Sequence, residues 1–334
     1  MTTNSKSPDD GTIPTEPEAL EPEAAGDGGG ASESMTRAGY VTLLGQANAG
    51  KSTLMNAMLG QALSIVTARP QTTWRRVTGL LSRGGAQFIF LDTPGLLEPR
   101  DLLQRSLLAQ ALEALREADV LVVVLDPVER GRPELRERIR EAVQKSAAPV
   151  VLVLNKMDAA TEEAMEREEA WARDVLKARV HRVSALTGEG VAELLDTLEA
   201  LLPQGPFLYP ADDVATDPVR FFVAERVRET VMERYRDEIP YSVFAQVEEY
   251  REDGRKTYIQ VTLYVERASQ KGILIGNKGE AIRALGREAR EKIEHFLGEE
   301  VYLDLWVKVL PGWRRKKAHL RRLGFSVPED DVTP

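Results

Sequence analysis

A glycine-rich segment that ends in a lysine and a serine is the clearest candidate for chemistry in this sequence. Residues 45–52 read Gly-Gln-Ala-Asn-Ala-Gly-Lys-Ser, follow an apolar run and open a helical pattern. Such a loop curls so that its N–H groups and the positive end of the following helix hold a β-phosphate. Lys51 is expected to bridge the β- and γ-phosphates and Ser52 to bind Mg²⁺, whereas the alternative is an ordinary glycine turn. The predicted phosphate-contacting residues are Gly45, Gln46, Ala47, Asn48, Ala49, Gly50, Lys51, Ser52 and Thr53.

A second motif supplies a carboxylate and a glycine at the end of another predicted strand. Residues 92–95 read Asp-Thr-Pro-Gly. Asp92 is expected to hold Mg²⁺ through water, and the amide of Gly95 to contact the γ-phosphate. A Pro-Gly turn after a strand is a plausible alternative for this tetrapeptide alone. The predicted contact residues of this segment are Asp92, Thr93, Pro94, Gly95 and Leu96.

Two further motifs point to guanine as the base. The Asp158 carboxylate can accept from the N1–H and 2-amino groups of guanine, a pair that adenine does not offer. Lys156 can lie along the base, and the backbone of residues 184–186 can meet the guanine O6. Each motif is weak alone, but four motifs in order, each at a strand end, predict a guanine nucleotide site. The predicted base-contacting residues are Asn155, Lys156, Met157, Asp158, Ser184, Ala185 and Leu186.

A polar segment with paired threonines lies between the first two motifs. Residues 65–74 are predicted to be a switch loop that closes on Mg²⁺ and the γ-phosphate, with a plain surface loop as the alternative. Thr73 is the expected Mg²⁺ ligand, with Thr72 as the second candidate. The predicted catalytic residues are therefore Lys51, Thr73 and Gly95, and the predicted Mg²⁺ ligands are Ser52, Thr73 and Asp92.

Two positions predict unusual catalysis. Many enzymes of this kind place a water-orienting glutamine after the Asp-x-x-Gly motif, but this chain has Leu96 there. Slow intrinsic turnover, or help from another group, is therefore expected, and no general base is evident. Asn48 is a candidate ligand for K⁺ beside the phosphates, and the alternative is that it only caps the loop.

The elements that must position these motifs alternate between strands and helices as far as residue 202. Strands are predicted at 40–44, 77–81, 87–91, 120–125, 150–154 and 180–183, and helices at 52–59, 102–118, 133–145, 162–178 and 190–201. This alternation predicts an α/β fold with a mostly parallel sheet covered on both faces. Phosphate ligands bind at the carboxyl ends of strands in such sheets.

A different pattern follows a proline-rich segment. Helices are predicted at 219–235, 269–275, 280–297 and 313–323, and strands at 243–250, 257–265 and 301–309. The Gly-Asn-Lys-Gly sequence at 276–279 lies between two helices, where such a loop lets the backbone approach single-stranded nucleic acid. Residues 273–275 are expected to form an apolar floor for bases, and Trp313 either to stack on a base or to pack internally. The predicted RNA-binding residues are Lys271, Ile275, Gly276, Asn277, Lys278, Gly279, Trp313, Arg314 and Arg315.

Charge divides the chain unevenly. Residues 1–37 hold eight acidic against two basic residues with few large apolar side chains, which predicts a disordered acidic tail. Residues 255–322 hold 16 basic against eight acidic residues, which favours a polyanion such as RNA or anionic lipid.

The 334 residues include no cysteine and no run long enough to span a membrane. The predicted domains are a tail at 1–37, a nucleotide-binding domain at 38–204, a linker at 205–218, an RNA-binding domain at 219–325 and a C-terminal tail at 326–334.

Four segments give the chain a family resemblance. Residues 71–73, 237–243, 266–279 and 301–309, with the nucleotide motifs, resemble the Era family of bacterial GTPases over residues 38–325. The resemblance implies a Ras-like P-loop GTPase domain followed by an α+β type II KH domain. It also implies binding of the 3′ end of 16S ribosomal RNA during 30S subunit assembly, in the cytoplasm or loosely on the inner membrane face, without a stable homo-oligomer. Trp74 departs from the arginine usual in the family, residues 46–49 depart from its usual phosphate loop, and the acidic tail lies outside its pattern.

Two rival functions are compatible with parts of the pattern. One is a nucleotide-driven switch whose second domain contacts a protein or a membrane surface rather than RNA. The other is a P-loop kinase or ATPase, against which Asn155 and Asp158 argue. The favoured function is hydrolysis of Mg·GTP coupled to RNA binding.

Overall fold

The computed structural model of the protein describes residues 36–129, 133–252 and 254–328, with the side chain of Leu135 left out. Residues 1–35 of the predicted tail and residues 329–334 lie outside the described residues. The tail prediction extends too far, because the first strand already begins at Arg37. The hydroxyl of Thr36 donates to the carbonyl of Gly205 at 2.8 Å, and the amide of Arg37 donates to the carbonyl of Gly85 at 2.9 Å.

The first sheet has six strands in the order β2-β3-β1-β4-β5-β6. All neighbouring pairs are parallel except β2 with β3, as a mostly parallel α/β sheet requires. The central strands are buried on both faces, which explains their continuous apolar sequences. The strands are β1 Arg37–Gly45, β2 Val77–Arg83, β3 Ala86–Asp92, β4 Val120–Leu125, β5 Val150–Leu154 and β6 Arg179–Arg182.

Five α-helices accompany this sheet within the described residues. They are α1 Lys51–Leu59, α2 Leu102–Glu117, α3 Pro133–Lys145, α4 Glu162–Trp171 and α5 Val191–Leu201. The helix predicted at 162–178 is shorter than expected. It changes to a π-helical turn at Ala172–Leu176 and ends at Lys177, whose φ of +51° no α-helix continues.

The second sheet has three strands, β7 Phe244–Arg251, β8 Thr257–Val265 and β9 Val301–Val309. β7 pairs antiparallel with β8, and β8 pairs parallel with β9. Four helices, α6 Val219–Arg234, α7 Ile239–Ser242, α8 Ala268–Ile275 and α9 Glu280–Leu297, belong to the same domain. The core is formed by fully buried apolar side chains of the sheet and these helices, among them Val227, Val261, Leu263, Leu285 and Ile293.

The basic C-terminal segment does not form the single helix predicted at 313–323. A 3₁₀ turn, Trp313–Arg315, precedes a short helix α10, Lys317–Arg322. Within the parts of the chain that the structure describes, no helix is both long and apolar enough to cross a membrane.

The proline-rich segment at 205–218 follows the edge of the first sheet. The amide of Leu80 on the edge strand β2 donates to the carbonyl of Val214 at 2.9 Å. The buried Gln87 side chain accepts from the amides of Leu208 and Tyr209 and donates to the Tyr209 carbonyl. A side-chain hydrogen bond with Tyr209, together with burial, raises the pKa of Tyr40 to about 12. The segment is therefore held against the domain over much of its length.

Candidate nucleotide and RNA sites

The glycine-rich loop joins the end of β1 to the start of α1, as its sequence predicts. Gly50 adopts φ +89°, and a side chain there would also clash with the amide of Asn155. A side chain at Gly45 would clash with the carbonyl of Val124 at the end of β4. The loop, the predicted switch loop and Lys156 line a cavity of about 380 Å³. This volume lies at the carboxyl ends of the strands, where the fold places phosphate ligands.

Lys51 is buried beneath the loop. Its ammonium donates to the carbonyls of Gly45 at 3.3 Å and Gln46 at 3.0 Å. Burial lowers the pKa of Lys51 to about 8, while the Asp92 carboxylate acts in the opposite direction. A buried cation that donates its hydrogen bonds to neutral carbonyls is well placed to gain from an anionic ligand.

The three predicted Mg²⁺ ligands meet at one point, although they come from distant parts of the chain. The Ser52 hydroxyl donates to Asp92 Oδ2 at 2.6 Å and lies 3.0 Å from the hydroxyl of Thr73. The Thr73 hydroxyl also lies 3.5 Å from the same carboxylate oxygen. Thr72 instead donates to the carbonyl of Arg69 at 2.9 Å. Thr73 is therefore the threonine that faces the cluster.

The donor set fits a divalent cation. Asp92 is fully buried, and its Oδ1 atom has no hydrogen-bond partner among the residues that the structure describes. Burial raises the pKa of Asp92, opposed by the Lys51 ammonium and by hydrogen bonds from Ser52, Ser64 and Thr73. A hard oxygen donor beside two hydroxyls is the ligand type that Mg²⁺ prefers. Ser64, which donates to Asp92 Oδ2 at 3.0 Å, was not predicted from the sequence.

The Asp-Thr-Pro-Gly segment packs directly on the glycine-rich loop. The amide of Leu96 donates to the carbonyl of Gly45 at 3.1 Å, and a Cβ on Gly95 would come within 2.8 Å of the Ala47 nitrogen. Thr93 and Leu96 were predicted as contact residues, but their side chains are buried in the protein. The Thr93 hydroxyl donates to the carbonyl of Leu43, and Leu96 packs in the core between α2 and α3.

Asn155 acts as a brace between two loops. Its amide nitrogen donates to the carbonyl of Ala49 at 2.9 Å, and its oxygen accepts from the amide of Ala185 at 2.9 Å. Both ends of this buried side chain are thus used inside the protein. Asn155 therefore makes a positioning contact between the phosphate loop and residues 184–186, and its contact with the nucleotide stays a prediction.

Asp158 and Lys156 are oriented by neighbours. The Ser184 hydroxyl donates to Asp158 Oδ1 at 2.5 Å, which leaves the other carboxylate oxygen available. The Lys156 ammonium pairs at 2.5 Å with Asp126, a residue missed by the sequence analysis because it belongs to no recognised motif. Leu186 is 79% exposed beside them.

The Gly-Asn-Lys-Gly loop has the backbone that its sequence predicts. Gly276 and Gly279 adopt φ +70° and +78°, and Lys278 adopts φ +47° with its side chain exposed. Arg283 donates to the carbonyls of Lys278 at 2.6 Å and Gly279 at 3.0 Å. The loop is therefore held from α9.

A cleft of about 500 Å³ lies between α9 and β9 beside this loop. Aromatic, aliphatic and cationic side chains line it, with a glycine at its middle. The lining residues are Ile282, Arg283, Gly286, Arg287, Arg290, Tyr302, Leu303, Asp304 and Leu305. The sequence analysis missed this set, although arginines at 283, 287 and 290 follow helical spacing and carried the signal.

Three predicted RNA contacts change in the structure. Trp313 is fully buried and donates to the carbonyl of Ser242 at 3.1 Å, so it packs internally and does not stack on a base. Arg314 pairs with Asp101 at 2.5 Å. Leu274 is fully buried in the domain core and cannot form a floor for bases, whereas the neighbouring Ile273 is exposed. Lys271, Ile275, Asn277 and Arg315 are at least partly exposed.

Family models match both halves of the chain. A model described as 50S ribosome-binding GTPase matches residues 40–156, and a model described as KH domain matches residues 238–314. Fold and site together define a P-loop GTPase with a Ras-like domain joined to a KH domain. GTPase Era of Carboxydothermus hydrogenoformans is 40% identical over 87% of this chain and 98% of that protein. GTPase Era of Nitratidesulfovibrio vulgaris is 41% identical over 88% of this chain and 98% of that protein. The chain belongs to the GTPase Era family.

Two solved structures resemble this chain across most of its length. They are a variant of Aquifex aeolicus Era bound to GDP·AlF₄⁻, and Era in complex with MgGDPNP and nucleotides 1506–1542 of 16S ribosomal RNA. Each is 35% identical to this chain and has a TM-score of 0.83. The match covers 87% of this chain and all of the solved chain.

Proposed function

We propose that this GTPase hydrolyses Mg·GTP at the site formed by its four motifs and binds the 3′ end of 16S ribosomal RNA through its KH domain. The observation that carries the proposal is the match across both domains to Era in complex with MgGDPNP and 16S ribosomal RNA. The proposed setting is assembly of the 30S subunit.

The proposed chemistry uses positioning and charge. Water displaces GDP from the γ-phosphate, and Lys51, the Gly95 amide and the loop amides stabilise the charge on the transferring group. Ser52 and Thr73 would hold Mg²⁺ directly and Asp92 through water. When bound, Mg²⁺ would supply positive charge that offsets the negative charge of the phosphates.

A potassium ion at Asn48 is a separate proposal. Leu96 is buried and cannot orient the attacking water, so charge from elsewhere would compensate. Asn48 lines the cavity at φ +66°, and the cap of α1 is Gly50 rather than Asn48. Turnover in K⁺ should exceed turnover in Na⁺, and Asn48→Ala should remove the difference. Equal turnover in both salts refutes this role.

The RNA site is proposed at the cleft between α9 and β9. Backbone approach at Gly276 to Gly279, cations at Lys278 and Arg287, and the exposed ring of Tyr302 suit single-stranded RNA. Arg287 lies on the helix face that lines the cleft.

The deciding experiment measures binding of a labelled oligonucleotide with the sequence of nucleotides 1506–1542 of 16S ribosomal RNA. Protein loaded with a non-hydrolysable GTP analogue is compared with protein loaded with GDP. Tighter binding with the analogue is expected if hydrolysis times release of the RNA. Lys278→Glu should weaken binding, and Arg173→Glu, an exposed change in the GTPase domain, should not. Failure to bind in either state would favour the protein-binding rival.

Contact with an anionic membrane surface is a further proposal for localisation at the inner face of the cell membrane. It rests on the exposed side chains of Lys308, Arg315 and Lys316. Cosedimentation with vesicles containing anionic lipid, but not with neutral vesicles, is expected. Equal recovery with both vesicle types argues against it.

A further inference from the structure

The predicted switch segment, which lines the same cavity as the glycine-rich loop, is held from the KH side of the molecule. A guanidinium nitrogen of Arg228, on α6, donates to the carbonyl of Thr72. That carbonyl belongs to the same rigid peptide unit as the amide of Thr73, so fixing one fixes the plane of the other. Residues 219–234 of α6 lie outside both matched family regions, 40–156 and 238–314.

Arg228 itself has little freedom to move. Its side chain is 1% exposed. The Glu225 carboxylate accepts from its Nε at 2.8 Å and from one terminal nitrogen at 2.6 Å, which is a two-point contact. A planar guanidinium held by two hydrogen bonds is a preorganised donor, and a lysine ammonium does not reproduce this geometry.

Trp74 packs against the guanidinium of Arg228. Its ring centroid lies 4.8 Å from the guanidinium carbon of Arg228, within the range of a cation–π contact. The ring is 3% exposed and lies 5.8 Å from the ring of Trp313. Both belong to a buried group that we term the interdomain aromatic cluster, comprising Trp74, Leu102, Leu103, Leu107, Phe244, Tyr264, Trp313, Leu320, Leu323, Phe325 and Val327.

Consecutive residues therefore serve two sites. The hydroxyl of Thr73 lies beside Ser52 and Asp92, while the next side chain, Trp74, is packed between Arg228 and the aromatic cluster. Thr73 cannot leave the metal-ligand cluster without disturbing the contacts of Thr72 or Trp74. Trp74 gives this chain an apolar anchor at that point.

We propose that Arg228 is a positioning residue for GTP hydrolysis, which acts by holding Thr73 beside Ser52 and Asp92. The inference rests on the proposed role of Thr73 as a Mg²⁺ ligand. Arg228 is not among the described residues that line the nucleotide cavity, so its loss should change the hydrolytic step and the Mg²⁺ requirement rather than the contacts to the base or to the β-phosphate. GDP binding, which needs no γ-phosphate contact, is independent of it.

The test compares Arg228→Lys with Arg220→Lys, which changes an exposed arginine of the same helix that stacks on Tyr250. Arg228→Lys should lower kcat by about 10- to 100-fold, as loss of a partner that orients a metal ligand does. The Mg²⁺ concentration for half-maximal rate should rise, and GDP affinity should stay at the wild-type value, which also shows that the variant is folded. Arg220→Lys should match the wild type throughout. Wild-type kcat and Mg²⁺ dependence in Arg228→Lys would overturn the proposal.

A second variant and a double mutant separate this inference from the proposed function. Glu225→Gln keeps the arginine but weakens its anchor, and a smaller fall in kcat is expected.

In a Thr73→Ala background, Arg228→Lys should cause no further loss, because both act through one hydroxyl. A full additional loss would show that Arg228 acts by another route and would overturn the inference alone. Wild-type hydrolysis by Thr73→Ala would overturn both the metal role of Thr73 and the inference.

Discussion

At the scale of single residues, the site separates groups that face the nucleotide from groups that hold them in place. Lys51 and Thr73 face the cavity, whereas both ends of the Asn155 amide form hydrogen bonds with other loops. Asp158 stands between these types, since Ser184 orients one of its oxygens and leaves the other available. Residue type alone does not distinguish the roles, because each depends on which partner lies within hydrogen-bond distance.

The specificity for guanine is expected to depend on Asp158. Asp158→Asn replaces a charged acceptor with an amide, whose nitrogen suits the 2-oxo group of xanthine. GTP binding should weaken by about tenfold or more, because a hydrogen bond to a charged group contributes roughly 1.5–3 kcal/mol. Competition between GTP and XTP measures the change, with Asp174→Asn, an exposed carboxylate on the π-helical turn, as the control. Undiminished GTP preference would show that another group reads the base.

Asn155→Ala is expected to destabilise the site even without nucleotide. The change leaves the buried carbonyl of Ala49 and the buried amide of Ala185 without their hydrogen-bond partner, and each unsatisfied group costs about 1–3 kcal/mol. The thermal midpoint of the nucleotide-free protein should therefore fall, and nucleotide affinity should fall with it. If only the affinity fell, Asn155 would be a direct base contact, as its motif predicted.

At the scale of elements, both sites lie where a glycine-rich loop begins a helix. In the GTPase domain the loop after β1 begins α1, and in the KH domain the loop after α8 begins α9. Each loop has a glycine with positive φ, Gly50 or Gly276, which would let the backbone approach a ligand closely. The surrounding element then decides the ligand, because strand ends border the first loop and a long cationic helix face borders the second.

Gly276→Ala is expected to weaken RNA binding without affecting GTP hydrolysis in the absence of RNA. A Cβ there would lie 2.6 Å from the Cβ of Ala281, and the backbone of Gly276 (φ +70°, ψ −177°) lies in a region essentially confined to glycine, which costs other residues roughly 1–3 kcal/mol. Gly298→Ala is the control, since Gly298 also has a positive φ, +74°, but open space around it at the end of α9. Equal RNA affinity of the two variants would mean that the loop backbone does not contact the RNA.

At the scale of the whole molecule, the C-terminal segment joins the two domains. Arg314 pairs with Asp101, which also caps α2 through its contact with the amide of Gln104. The hydroxyl of Ser106 on α2 donates to the carbonyl of Ser326. The interdomain aromatic cluster lies between these contacts. A segment that the sequence presents as a basic RNA-binding patch thus serves partly to connect the KH domain to the helix that follows the Asp-Thr-Pro-Gly motif.

The salt dependence of RNA binding should distinguish the two uses of arginine. Arg287→Gln should reduce the slope of log affinity against log salt by about one, as loss of one phosphate contact does. Arg314→Gln should leave the slope unchanged, because its charge is already paired with Asp101, and should lower the thermal midpoint instead. A reduced slope in Arg314→Gln would restore this residue to the RNA interface.

The sequence by itself determined the parts of this protein that depend on local backbone geometry. A glycine-rich loop between a strand and a helix has few conformations open to it, so residues 45–52 and 276–279 could be predicted with their elements. Strand and helix order followed from apolar periodicity in the same way. The two domains of the GTPase Era family were therefore recognisable without coordinates.

Only the tertiary structure decided the roles that depend on partners distant in the chain. It separated Thr73 from Thr72 by the position of Asp92, decided that Trp313 packs in the core rather than stacking on a base, and paired Arg314 with Asp101. It also brought Arg228 to the switch segment, 156 residues away in sequence. Local pattern fixes which groups a segment offers, but burial and hydrogen-bond partners are set by the packing of elements, which no single segment encodes.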